Sequence, residues 1–214
     1  MASIVIFGGT GYAGSHIARE ALSRGHRVTS YSRSLPGDPV DGVEYRTGSI
    51  ADAGTVDEAV RDADELVVAV HGADAGGRPL VESLPHLVRA ATSADVRLSF
   101  VGGAGSSLVG PGGPRLVDTP DFHEEWKAEA LSHADVLTAL QEARGGLRWF
   151  YVSPAALFGA WAPGETLGTY RTGGDVLVTL PDGSSEISGT DFALAFVDEI
   201  EQGAHPDQRF TVGH

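Results

Sequence analysis

Cysteine is absent from the chain. That excludes disulfides, thiolate metal sites and cysteine nucleophiles together, and no metal site of another kind is expected. Basic residues are scarce. Fifteen lysines and arginines stand against 29 aspartates and glutamates, a formal net charge of −14. Nucleic-acid binders concentrate Lys and Arg against the phosphate backbone, so no nucleic-acid partner is expected. An anionic ligand would have to be held by a few local donors working against that global charge. No apolar run approaches the roughly 18 residues of a bilayer span, so no membrane association is expected. The start, "MASIVIFGG", enters a strand-like run with no basic segment ahead of a long apolar one, which speaks against a signal peptide. A cytoplasmic location is the expectation.

The chain has 214 residues, 42% hydrophobic and 21% charged. That is enough for one domain with a substantial core. "SIVIF" (3–7) is a short β-branched run of the kind buried in parallel sheets. Further strands are predicted at 26–32, 43–48, 65–70, 97–103, 147–153 and in "RFTVG" near the end. Helical spacing is found through "SHIAREALSRG" and, more briefly, at 56–63. It returns through "LVESLPHLVRAATSA", with Pro85 near a first turn or causing a kink. The longest helix is predicted at 121–143 with Asp121 as its N-cap, and the last, "TDFALAFVDEIEQG", with Thr190 as cap. "TYRTGGDVLVTLPDGSSEIS" reads as a hairpin-like excursion with turns at Gly-Gly-Asp and Pro-Asp-Gly. Strands alternating with helices imply right-handed crossovers and a doubly wound parallel α/β sheet, the Rossmann arrangement. The whole of 1–214 is read as one domain, with 153–190 as a small substrate-side cap.

"GGTGYAG" lies between the first strand and the first helix. Gly8, Gly11 and Gly14 fall in the spacing G-x-x-G-x-x-G, in the context that gives such a match meaning. Gly8 permits the tight turn, Gly11 lets backbone approach a pyrophosphate, and Gly14 lets helix pack on strand. The phosphates would rest on amides at the positive end of the helix. A dinucleotide is therefore expected. The end of the second strand reads Ser30-Tyr31-Ser32-Arg33-Ser34, with no carboxylate before Asp38. A guanidinium and hydroxyls suit a 2′-phosphate, which a carboxylate would repel. NADP, as NADPH, is the expected cofactor, with NAD as the alternative. Asp52 is placed near the adenine amino group, and the "VAVHG" strand end, through Gly72, against the adenine ribose. His71 in that stretch reads as a packed or solvated residue.

Taken together, "GGTGYAGSHI", "FVGGAGSS", "RLVDTPDF", "EEWKAEA", "YVSPAALF", "TYRTGGDVLV" and "ISGTDFALAFVDEIE" resemble the atypical short-chain dehydrogenase/reductases of the NADH-flavin reductase and biliverdin-IXβ reductase-like group. The resemblance runs across nearly the whole chain. It implies a Rossmann fold, a reduced nicotinamide cofactor and a planar or carbonyl-bearing acceptor, with flavin as substrate and not as prosthetic group. By position it carries the phosphate loop onto Gly8, Thr10, Gly11, Tyr12, Ala13 and Gly14, and the 2′-phosphate contact onto Arg33 beside Ser32. Ser153, Pro154 and Ala155 match the stretch near the nicotinamide carboxamide, and Ser106 stands near where the superfamily keeps a catalytic serine. The superfamily's Tyr-x-x-x-Lys is replaced by His123-Glu124-Glu125-Trp126-Lys127.

Residues four apart share a helix face, so His123 and Lys127 could enter one cleft, His123 giving a proton and Lys127 holding the nicotinamide ribose. Equally, His123 could be a solvated first-turn residue beside two glutamates. Ser106, Lys127 and His123 are the candidate catalytic residues, though His123 and Lys127 are not expected to be an indispensable pair. A small-molecule acceptor such as a flavin, quinone or conjugated carbonyl is the expected partner of an NAD(P)H-dependent reductase. The alternative is a non-catalytic NADP(H)-binding regulator that reports redox state. Monomer and dimer remain open.

Overall fold

The computed structural model describes residues 1–73 and 77–214. Its first strand, β1 (Ser3–Phe7), is buried along its length. Ile4 and Ile6 join one apolar cluster while Val5 and Phe7 join another. Successive side chains of a strand leave on opposite faces, so a strand buried at every residue must be covered on both sides. The covering helices follow from this. α1 (Tyr12–Ser23) and α5 (Gly189–Gln202) pack on the Ile4 face. α2 (Ala53–Ala59), α3 (Leu84–Ala94) and α4 (Glu124–Glu142) pack on the Val5 face.

The remaining strands are β2 (Arg27–Ser32), β3 (Val43–Thr47), β4 (Glu65–Val68), β5 (Arg97–Val101), β6 (Trp149–Ser153), β7 (Arg171–Gly173) and β8 (Gln208–Gly213). They form one eight-stranded sheet in the order β3-β2-β1-β4-β5-β6-β8-β7. All neighbours are parallel except β7 and β8. This is the doubly wound Rossmann arrangement. The chain leaves β1 for β2 on one side and returns to β4 on the other, so a crevice opens between β1 and β4 at their C-terminal ends.

Several boundaries differ from expectation for local reasons. β4 stops at Val68, because Ala69 and Val70 turn out to line that crevice. α1 begins at Tyr12, directly after Gly11. α2 begins at Ala53 because Asp52 caps it, and it tightens into a 3₁₀ turn at Val60–Asp62. Pro85 stands in the first turn of α3, where its missing N–H costs nothing.

The expected caps of α4 and α5 are corrected. At α4 the cap position is His123, not Asp121, and its side chain makes no capping bond. Glu124 and Glu125 supply negative charge to that helix end instead. At α5 the cap is Ser188, not Thr190; its hydroxyl accepts from the Asp191 amide at 3.0 Å. Ser188 wins because Asp191, three residues on, bonds back to it at 2.9 Å. The wholly buried Asp191 carboxylate also accepts from the Leu167 and Gly168 amides and meets His214 Nε2 at 2.9 Å. Burial alone would raise this carboxyl, but those bonds hold it below the usual carboxylate range. The excursion before α5 is therefore pinned to the helix. It is not a hairpin: the Pro181-Asp182-Gly183 turn forms, but β7 pairs with the open edge of β8 rather than with the next segment. Among the described residues, no helix is long and apolar enough to cross a membrane.

Candidate functional site: a dinucleotide cleft

A cleft of about 990 Å³ runs across the C-terminal ends of β1, β2, β4, β5 and β6. Its size is in the range of small-molecule sites. The glycine loop forms one wall, and the glycines differ in what they tolerate. Gly8 has φ +91°, and a Cβ there would lie 2.2 Å from the Ala69 carbonyl oxygen. A Cβ on Gly14 would lie 2.2 Å from the Gly8 oxygen. Both are required by the protein's own packing, and Gly14 lies buried behind the cleft wall. Gly11 is different. Its backbone is extended (φ −80°, ψ 175°), and a Cβ would meet only the Gly8 oxygen, at 3.3 Å. Space is open on its cleft side.

Thr10, Gly11, Tyr12 and Ala13 line the cleft. No side chain caps α1 and no acidic residue stands in its first turn, so the leading amides are left without intrahelical acceptors beside the positive end of the helix. An anion fits there. The Tyr12 side chain turns away from it, its hydroxyl accepting from the Gly189 amide at 3.0 Å.

At the end of β2, Ser32, Arg33 and Ser34 line the cleft. Arg33 is exposed and makes no hydrogen bond or ion pair among the described residues. Arg46, by contrast, is taken up by Glu44, Glu58, Asp62 and the Tyr31 hydroxyl. Among the described residues, no carboxylate lines this end. Asp52 does not line the cleft: its carboxylate accepts from the Thr55 amide at 2.9 Å and the Thr55 hydroxyl at 2.7 Å. Those bonds hold it below the usual carboxylate range. It is occupied as a helix cap, and the neighbouring Ala51 reaches the cleft instead.

On the β4–β6 side the expected pair separates. His123 lines the cleft, but Lys127 does not; its Nζ donates to Glu124 at 2.6 Å. The His123 ring lies 4.4 Å from Trp126, and Trp126 stacks on Trp161 at 5.3 Å and 27°. Both tryptophans are exposed at the rim, 40% and 61%. Deeper on α4, Glu129 and His133 line the wall. Glu129 Oε1 accepts from the Gly72 amide at 2.8 Å, with His133 Nε2 and His71 Nδ1 each 3.3 Å away. Burial would raise this carboxyl, but the hydrogen bonds from His133 and Gly72, with both imidazoles nearby, hold it down to about 2.

Gly72 itself packs against α4 and does not line the cleft. The Ser132 hydroxyl donates to its carbonyl, and a Cβ there would lie 2.8 Å from the Ser132 Cβ. Ser106 is buried and its hydroxyl has no partner among the described residues, while Gly103, Ala104 and Gly105 line the cleft. Ser153 is also buried, its hydroxyl accepting from Arg209 at 3.4 Å, whereas Pro154 and Ala155 line the cleft.

Sequence reasoning missed Trp126, Trp161, Glu129 and His133. The Glu-x-x-x-His spacing of 129 and 133 was the available signal. Trp161 lies outside any periodic element and gave none. No group of three or more potential ligands that could hold a metal ion occurs among the described residues.

A doubly wound sheet with a glycine-walled, helix-ended cleft at its switch point defines a nucleotide-binding protein of the Rossmann class. The family can be named. A family profile described as NAD(P)H-binding matches residues 8–202, and the chain belongs to that family. It is 35% identical over 214 residues to YwnB of Bacillus subtilis, a protein of uncharacterised function, with 98% of this chain and 97% of that one covered. A solved structure from Burkholderia pseudomallei, provisionally described as an exported protein, is 38% identical with TM-score 0.85. Another, from Streptococcus pneumoniae TIGR4 and provisionally named an NADH-flavin reductase, is 30% identical with TM-score 0.88. Both matches cover the full length of both chains.

Proposed function

We propose that the protein is an NAD(P)H-dependent oxidoreductase, drawing on NADPH, that reduces a planar acceptor such as a flavin, a quinone or a conjugated carbonyl. The observation that carries this reading is the exposed Trp126–Trp161 stack with His123 beside it, on the rim of the dinucleotide cleft. Soluble proteins rarely leave large aromatics stacked in the open without a use for them, and a flat ring is what such a surface takes.

The residues present fit the cofactor. Thr10, Gly11, Tyr12 and Ala13 would hold the pyrophosphate at the end of α1, and Arg33 with Ser32 the 2′-phosphate. Bound reduced nicotinamide supplies hydride to the acceptor. The chain's contribution is alignment and exclusion of water, with Pro154 and Ala155 closing the floor and the tryptophans holding the acceptor's face. A conjugated ring spreads the incoming charge, so the need for one positioned acid is small. The Streptococcus protein's name points the same way. A cytoplasmic location, where reduced nicotinamide is maintained, suits this activity.

The test is NADPH consumption against riboflavin, a soluble quinone and a simple saturated ketone, with Trp126→Ala and Trp161→Ala alongside. Turnover with the planar acceptors and not the ketone is expected. Each tryptophan variant should raise the acceptor's KM several-fold, since an aromatic pair contributes about 0.5–1.5 kcal/mol, with KM for NADPH unchanged. NADPH binding without turnover of any acceptor would favour a redox-sensing regulator instead.

A further inference from the structure

Glu129 and His133 stand one turn apart on α4, and three strand ends converge on them. Glu129 is tied to Gly72 after β4. The His133 side chain abuts Gly103 after β5, its Cβ 3.5 Å from where a Gly103 Cβ would be. The His133 carbonyl accepts from the hydroxyl of Tyr151 in β6 at 3.1 Å. The two halves of a dinucleotide lie on opposite sides of the switch point between β1 and β4. The glycine loop and Arg33 occupy the adenosine side. Glu129 and His133 are on the other side, deeper than the rim tryptophans.

All three polar contacts of the Glu129 carboxylate fall on Oε1, and Oε2 takes no hydrogen bond among the described residues. With its Nε2 turned to Glu129, the His133 ring keeps a second nitrogen, Nδ1, for another partner. An ionised oxygen that only accepts, beside an imidazole, matches a pair of neighbouring sugar hydroxyls, each able to donate and to accept.

We propose that Glu129 and His133 form the binding site for the ribose of the nicotinamide nucleotide, the role that Lys127 was expected to fill. Lys127 is unavailable, being paired with Glu124 outside the cleft. The proposal rests on the family's NAD(P)H binding and not on the identity of the acceptor.

The test is equilibrium binding of two ligands by calorimetry: NADPH, and adenosine 2′,5′-bisphosphate, which carries only the adenosine half. His133→Ala and Glu129→Gln are compared with the unmodified protein, each with its melting temperature. Glu129→Gln keeps an oxygen for the Gly72 amide. Each variant should weaken NADPH about tenfold, as expected for loss of a charge-assisted hydrogen bond, and leave the bisphosphate within about twofold. His133→Gln should recover part of the loss. Equal weakening of both ligands would assign the pair to tethering α4 alone and overturn the proposal, as would unchanged NADPH affinity in both variants. Failure of the unmodified protein to turn over any acceptor would sink the reductase reading and leave this one standing.

Discussion

On the β1–β3 side the cleft is bounded by backbone, and on the β4–β6 side by side chains carried on α4. The first wall is built within one stretch, Gly8 to Gly14, where a turn, an uncapped helix end and four missing Cβ atoms act together. The second needs Gly72, Glu129, His133, Trp126 and Trp161, which come from three separate segments. A backbone wall offers amides alone, which suits an anion such as a pyrophosphate. A side-chain wall offers chosen donors, acceptors and rings, which suits the proposed contacts to a ribose and to a planar acceptor.

The largest expected effects probe the backbone wall. Gly14→Val would drive a branched side chain into the Gly8 carbonyl, and destabilisation of about 3 kcal/mol or more is expected, read by thermal melting. Gly11→Val should lower the melting temperature far less than Gly14→Val, because its Cβ would meet only the Gly8 oxygen, at 3.3 Å against 2.2 Å, yet abolish cofactor binding. Equal destabilisation of both variants would mean that Gly11 is as structural as Gly14, and the distinction drawn between them would fail.

A smaller effect concerns the adenosine end. The unpartnered Arg33 should contribute about 1.5–3 kcal/mol to a 2′-phosphate, so Arg33→Ala should weaken NADPH at least tenfold and leave NADH unchanged. Equal affinity of the unmodified protein for both cofactors would remove the basis for NADPH preference.

The side-chain wall should respond to acid in a way the backbone wall cannot. Glu129 is held down to about 2 in the folded chain, below its ordinary value near 4.5. The stability this contributes is complete above pH 4.5 and is lost as pH falls through 4.5 towards 2. Over that window the melting temperature of the wild type should fall further than that of Glu129→Gln. Parallel curves would show that the carboxylate does not hold α4.

The smallest effect is expected at the first turn of α4. Lys127→Ala should leave kcat and the KM for NADPH within about twofold, because Lys127 faces Glu124. His123→Ala should stay within about tenfold, at or below the low edge of general-acid contributions. A thousandfold loss of kcat in His123→Ala would make His123 the proton donor after all.

These contrasts follow what could be read along the chain. The parallel sheet was legible because its strands are short apolar runs such as "SIVIF", buried on both faces. The glycine loop was legible because its requirements are local: φ at Gly8 and the absence of a Cβ at Gly14 are set within one short stretch. The caps were misplaced where two polar residues competed within two or three positions, Asp121 with His123 and Thr190 with Ser188. There the outcome depended on contacts such as Asp191 with Ser188 and His214. Asp52 was drawn to the cleft by its place after a strand, yet its carboxylate was already used by Thr55.

By itself, then, the sequence determined the class of fold, the glycine loop after the first strand and the arginine after the second, because each is encoded within a few consecutive residues. Only the tertiary structure decided which face of α4 enters the cleft. Helical spacing places His123 with Lys127 and Glu129 with His133 equally well, and it does not say which pair turns inward. That choice was made by long-range packing: the Ser132 and Glu129 contacts to Gly72, 60 and 57 residues away, set the rotation of the helix and leave Lys127 half-buried outside the cleft, paired with Glu124.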